Sequence, residues 1–171
     1  AVSQEYAMNE EGVLMPTGKY CVNHAETVRR KTRTVNVGNV KIGSEHPIVK
    51  QTMTTSDTRD VEATVAEVIR CADAGAEMVR ITVQGMQEAK ACKEIKETLV
   101  ARGYDTPLIA DIHFAPKVAM MVAECFDKIR VNPGNFADGR KKFEDILYET
   151  DEEYNAELEE IEKIFTPLVL K

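Results

Sequence analysis

Residues 107–135 read PLIADIHFAPKVAMMVAECFDKIRVNPGN. Two short apolar runs, 107–112 and 128–131, flank a segment with helical spacing. Each run ends in polar chemistry. Asp111 and His113 close the first; Arg130, Asn132 and Asn135 follow at the second. That pattern is strand, helix, strand with functional groups at the strand ends, and the chain around it repeats the unit.

Working upstream, residues 47–54 (PIVKQTMT) read as a first strand and 55–59 as a polar loop. Asp60 is a good N-cap for a helix whose apolar stripe is Val61, Val65, Val68, Ile69 and Ala72. Gly75 supplies its stop. Residues 77–83 (EMVRITV) form a second strand, and Gln84-Gly85 turns into a helix over 86–102 that stops at Gly103. The third strand is 107–112. Pro116 suits the first turn of a helix running to about residue 126. The fourth strand is 128–132, ended by Pro133-Gly134. Earlier still, 34–37 and 40–42 around Gly38-Asn39 read as a hairpin. An isolated hairpin is marginal, so this one is expected to cover one end of a larger core.

Residues 1–27, broken by Gly12, Pro16 and Gly18, read as a tail or linker. The basic group Arg29, Arg30, Lys31 and Arg33 is either a solvated lead-in to the first strand or a contact to a phosphate or an acidic partner. Downstream, Asp138 opens a charged segment. Thr150 with Glu153 forms a capping box for a long helix with Tyr154, Leu158, Ile161, Phe165 and Leu168 on one face. Glu152, Glu157, Glu159, Glu160 and Glu162 make the other face acidic, and Pro167 is expected to kink or end the helix.

The body therefore alternates strand and helix four times, which gives parallel strands with right-handed crossovers. An open doubly wound sheet and half of an eight-fold barrel both fit. No G-x-G-x-x-G and no P-loop follows a strand, which weighs against a nucleotide-binding open sheet. The hairpin suits a barrel floor. The expected class is α/β: the N-terminal half of a (β/α)8 TIM barrel preceded by a β-hairpin, over residues 28–171. Four units do not close a barrel, which typically takes about 250 residues.

The chain has 171 residues, 43% hydrophobic and 30% charged, with net charge -7. That balance disfavours nucleic acid as a partner. No apolar run nears the roughly 18 residues a membrane span needs, and no leader is visible. A chain that begins at Ala1 reads as processed, trimmed or incomplete there. Cys21, Cys71, Cys92 and Cys125 are widely spaced without a C-x-x-C, so no metal or iron–sulfur site is expected from them.

In βα repeats the strand C-termini converge on one mouth. Gln51, Thr52, Met53 and Thr54 fall there from strand one, Arg80 from strand two, Asp111 and His113 from strand three, and Arg130, Asn132 and Asn135 from strand four. Arg80 lies between Val79 and Ile81, and Arg130 between Ile129 and Val131. Alternation turns both arginines away from those neighbours, into the barrel. A buried arginine is costly unless paired. Asp111 offers an internal ion pair, but one carboxylate does not neutralise two guanidiniums. The remaining charge points to an anionic ligand, and guanidinium matches phosphate bidentately. Asp111 and His113 read either as an acid/base or substrate-hydroxyl pair, or as an arginine-orienting carboxylate beside a packed histidine. Asn132-Pro133-Gly134-Asn135 can offer amides and backbone N–H groups to an oxyanion. Met53 can equally close the core.

RRKTRTVNVGNVKIGSEHPI, QTMTTSDTRDVEATV, VRITVQG, PLIADIHF and KIRVNPGN occur in this order. Together they resemble the N-terminal part of the 4-hydroxy-3-methylbut-2-enyl diphosphate synthase family, over roughly residues 28–170. The resemblance implies a TIM barrel followed by a separate iron–sulfur domain that this chain does not contain. It implies an oxidoreductase of the methylerythritol phosphate route to isoprenoids, which reduces 2-C-methyl-D-erythritol 2,4-cyclodiphosphate at a [4Fe-4S] cluster. Ferredoxin or flavodoxin would be the electron donor and the enzyme a homodimer. Arg80, Arg130 and Asn132 would hold the diphosphate, with Asn135 nearby. Asp111 and His113 would lie by the substrate, and Gln51 and Met53 would line the mouth. None of the four cysteines matches the family's cluster ligands, so this stretch alone is expected to be inactive. The acidic segment after Asn135 is similar to the long form of plants, algae and some bacteria. That implies a plastid stroma location, or the cytoplasm for a bacterial source. Two alternatives stand beside this reading: a non-catalytic half-barrel that binds a partner protein, and a related barrel acting on another phosphorylated or pterin-like substrate.

Overall fold

The computed structural model describes residues 6–8, 14–16, 29–136, 147–148 and 150–171. The chain divides into two compact units, 1–36 with 41–48, and 37–40 with 49–171.

In the first unit, β1 (Tyr6–Met8) and β2 (Leu14–Pro16) pair antiparallel, with Ala7 opposite Met15. Both fall in the stretch expected to be a tail. Arg29 donates to the carbonyls of His46 and Gly43, and Thr32 and Ser44 exchange two bonds of 2.9 Å between backbone N–H and hydroxyl. Arg29 of the basic cluster is thus spent on the chain's own carbonyls. A hairpin follows from β3 (Val35–Val37) and β4 (Val40–Ile42).

The tip of that hairpin belongs to the second unit. Gly38 has φ +56°, and a Cβ there would come within 3.0 Å of Pro107 Cγ. Asn39 Nδ2 donates to the Asp105 carbonyl at 3.2 Å. Val37 is buried. The tip therefore closes over the start of the third body strand, the end opposite the mouth, as expected of a barrel floor.

The body is a four-stranded parallel sheet in the order β5 (Gln51–Met53), β6 (Met78–Val83), β7 (Leu108–Ile112), β8 (Lys128–Val131). Between them run α1 (Val61–Asp73), α2 (Met86–Ala101) and α3 (Pro116–Val122). Asp60 caps α1 by accepting from Ala63 N at 3.0 Å. Gly75 and Gly103 take φ +92° and +84° just past α1 and α2, where left-handed backbone favours glycine.

Strand alternation sorts the sheet into two faces. Val79, Ile81, Val83, Leu108, Ala110 and Ile112 are fully buried against Val65, Val68, Cys92, Ile95, Leu99 and Val122 of the helices. That layer is the core. The other face carries Gln51, Met53, Arg80, Thr82, Ile109, Asp111 and Arg130. At roughly 25 cal/mol per Å² of apolar surface, the helix-covered layer supplies the drive to fold, and the opposite face is left to chemistry.

Several expected boundaries move. The first strand spans three residues rather than eight: Pro47 has no N–H for a ladder, and Ile48 is exposed. Helix α3 ends at Val122, because Cys125 N and Phe126 N both turn back to the Val122 carbonyl and bring Phe126 into the core. Pro133-Gly134 does not lead into a loop. Pro133 opens a one-turn helix, α4 (Pro133–Phe136), where its missing N–H costs nothing. The last helix, α5 (Asp151–Val169), starts on Thr150, whose hydroxyl accepts from Glu153 N at 3.3 Å. It continues two residues past Pro167 before stopping. Of the face read from Tyr154 to Leu168, only Phe165 and Leu168 pack on the core, joined by Ile164, whereas Tyr154 and Leu158 are exposed.

Candidate anion site at the strand ends

The rows of the parallel sheet bring the candidates together. Thr82, Asp111 and Arg130 pair across β6, β7 and β8, and Met53, Arg80 and Ile109 form the row before. Asp111 is the hub, with its side chain 5% exposed against 27% for Arg80 and 40% for Arg130. Its Oδ2 accepts from Arg80 Nη2, and its Oδ1 accepts from Arg130 Nη1 at 3.1 Å. Burial works to raise the Asp111 carboxyl. The Arg80 hydrogen bond and the charges of Arg80 and Arg130 outweigh it and hold the carboxyl below its usual range.

Arg130 Nη1 also lies 3.1 Å from His113 Nε2. A guanidinium only donates, so Nε2 is the acceptor and the imidazole proton sits on Nδ1. The 3.4 Å separation of Nε2 from Asp111 Oδ1 is then a contact between two acceptors and not a hydrogen bond. Arg80 Nε is buried without a hydrogen-bond partner. Among the described residues, two guanidiniums share one carboxylate, which leaves a positive charge over on a face where water is partly excluded. The arrangement can take an anion and orient it by charge-assisted hydrogen bonds.

The other expected residues lie at different depths. Met53 shares a row with Arg80 and is 39% exposed. Gln51 opens β5 rather than closing it and pairs with Met78, two residues before Arg80. Asn132 directly follows β8 and is half-buried. The side chain of Asn135 lies outside the described residues. Two features were not anticipated. Thr82 lies beside Asp111, and its place two residues after Arg80 puts it on the same face, a signal that alternation carried. Phe114 takes φ +55° immediately after His113, its ring 5.7 Å from the imidazole; nothing in the sequence announces a bulky residue in left-handed backbone.

Two of the described cysteines, Cys92 and Cys125, do not suit an iron–sulfur cluster. Cys92 is buried, and burial pushes its thiol up to about 12, the wrong direction for a thiolate ligand. Burial raises Cys125 as well. Among the described residues no group of three or more His, Cys, Asp or Glu is placed to hold a metal. A groove of about 550 Å³ between α2 and α3, floored by Met121 and Cys125, holds none of the candidate residues. No helix among the described residues is long and apolar enough to cross a membrane.

The GcpE TIM-barrel domain matches residues 32–157. The chain belongs to the GcpE family. Its four βα units are accordingly part of a GcpE barrel, and the polar face of the sheet is a barrel interior. A 4-hydroxy-3-methylbut-2-en-1-yl diphosphate synthase (ferredoxin), chloroplastic, of Oryza sativa subsp. japonica is 63% identical over 171 residues, covering 99% of this chain and 23% of the relative. The protein of the same description in Arabidopsis thaliana is 66% identical over 159 residues, 93% of this chain and 21% of the relative. A 4-hydroxy-3-methylbut-2-en-1-yl diphosphate synthase (flavodoxin) of Protochlamydia amoebophila (strain UWE25) is 60% identical over 153 residues, 90% and 23%. The GcpE-type chain thus spans between a fifth and a quarter of the length of these relatives.

Proposed function

We propose that this stretch is the diphosphate-holding part of a 4-hydroxy-3-methylbut-2-enyl diphosphate synthase. The complete enzyme takes 2-C-methyl-D-erythritol 2,4-cyclodiphosphate, two electrons and two protons, opens the ring and releases one water. The observation that carries the proposal is the pair Arg80 and Arg130 sharing the single carboxylate of Asp111. Each guanidinium keeps N–H groups beyond those Asp111 occupies, enough for a diphosphate to bridge the two.

In this reading Asp111 aligns the arginines and stays ionised, since its carboxyl is held low. His113 is the group left to carry a proton near the substrate. A phosphate that draws Arg130 away frees His113 Nε2 to bond a substrate hydroxyl or the phosphate itself. Asn132 and Asn135 add amides at the end of β8, and Gln51 and Met53 line the same face from β5, beside Arg80. A [4Fe-4S] cluster, reduced by ferredoxin or flavodoxin, would be held by residues other than those described here and would supply the two electrons. A homodimer and a plastid stroma location complete the proposal, the latter supported by the chloroplastic plant relatives.

The test is calorimetric titration of the complete protein with the cyclodiphosphate. Arg130→Ala should weaken binding by about 1.5–3 kcal/mol, roughly ten- to 150-fold. Wild-type affinity in that variant would remove the phosphate role.

A further inference from the structure

Glu67 lies in the middle of α1, away from the mouth in sequence, yet its carboxylate is spent entirely on the loop after β5. Thr55 N donates to both carboxylate oxygens at 3.1 Å, Thr55 Oγ1 to Oε1 at 2.9 Å, and Ser56 N to Oε2 at 2.9 Å. Thr64, one turn earlier on the helix, adds to this: its Oγ1 donates to the Asp57 carbonyl and accepts from Ser56 Oγ, both at 3.1 Å. The other side of the loop is stitched to β6. Thr54 N donates to the Arg80 carbonyl at 2.9 Å and Thr58 Oγ1 to the Thr82 carbonyl at 2.7 Å. The two carbonyls so engaged belong to Arg80 and Thr82, whose side chains face the mouth.

Capping alone does not require this. Asp60 already caps α1, and Glu67 is well inside the helix. A carboxylate placed there does one further thing: it fixes a backbone turn against the strand that carries Arg80. Arg80 must hold its guanidinium on Asp111 with Nε buried and unpartnered, so small shifts of β6 change which N–H groups remain for a ligand.

We propose that Glu67 is a positioning residue for the anion site, holding the β5–α1 loop so that Arg80 is pre-oriented. The inference rests on the diphosphate reading. Glu67→Gln keeps the size of the side chain but turns an amide N–H₂ toward donors. In the complete protein it should fold as wild type and bind the cyclodiphosphate about tenfold more weakly, with KM raised and kcat little changed. Thr55→Ala, which removes one donor only, should shift affinity the same way by about two- to threefold, and it covers the case in which Glu67→Gln does not fold. Glu67→Asp, able to reach part of the loop, should recover some of the loss. If Glu67→Gln and Thr55→Ala both bind within twofold of wild type while melting earlier, Glu67 is a loop fastener only and the proposal falls. Arg130→Ala is run in parallel. Loss of binding there with normal binding in the Glu67 variants overturns the positioning role alone; normal binding there overturns the diphosphate reading and the positioning role with it.

Discussion

Asp111 holds two arginines with one carboxylate, and that is where a single substitution tells most. Asp111→Asn removes the one counter-charge that the described residues offer Arg80 and Arg130. Removing one partner of a buried ion pair costs about 3 kcal/mol, which urea unfolding of the complete protein would register. The sign with pH follows from the direction of the shift. The folded carboxyl is held below its ordinary value, so its contribution is present above the unfolded pKa and is lost as pH falls through the lower, folded value. The stability gap between wild type and Asp111→Asn should therefore be constant near neutrality and close in acid. A gap that widens in acid would contradict the assignment. Phe114 belongs to the same scale. Bulky side chains rarely sit at φ +55°, and such strain costs of order 1–3 kcal/mol. Phe114→Gly should relieve it, giving an unchanged or higher melting temperature, while weakening cyclodiphosphate binding as His113 loses the ring beside it. A clear loss of stability without loss of binding would mean the ring matters for packing alone.

At the scale of elements, the sequence was most informative where two periodicities agreed. Arg80 between Val79 and Ile81, and Arg130 between Ile129 and Val131, could only face away from an apolar helix layer, and they do. The hairpin, the N-cap at Asp60 and the glycine stops at Gly75 and Gly103 were legible for the same reason: each is a local rule with one solution. The short β5 and the α4 turn were not, because Pro47 and Pro133 act through the hydrogen bonds they fail to make. Glu67 was invisible because its partners lie across a loop whose path no pattern specifies. Helix α5 shows the limit of periodicity itself. Its stripe is continuous in sequence, but only Ile164, Phe165 and Leu168 meet the core, with Phe165 5.1 Å from the buried Phe136. Phe165→Ala should cost about 2 kcal/mol, below the full value for a wholly buried ring, and raise amide exchange across α5. Leu158→Ala, at 43% exposure, should stay within about 0.5 kcal/mol of wild type. Equal effects would restore the longer buried stripe.

At the scale of the whole molecule, the sheet has β5 and β8 as its outer strands and a charged face. Parallel sheets are normally covered on both faces, and closure into a barrel removes the edges. Two features pull against each other when the 171-residue polypeptide is made by itself. The outer strands span only three and four residues, and β8 carries Lys128 and Arg130, all of which blunt edge-to-edge pairing. Against that, no described residue forms a wall opposite the arginine face, so Met53 and Arg130, 39% and 40% exposed, meet water and the Arg130–Asp111 contact is weakened. The second effect should dominate, because it acts on the interior of the barrel rather than on its rim. The isolated polypeptide should keep helical circular dichroism, unfold with poor cooperativity and elute in size-exclusion chromatography as a mixture of associated species. It should bind the cyclodiphosphate at least tenfold more weakly than the complete protein. A monodisperse, cooperatively unfolding species that captures a defined protein partner would instead favour a binding module built on the open edges, and the polar face would then need an explanation other than a diphosphate.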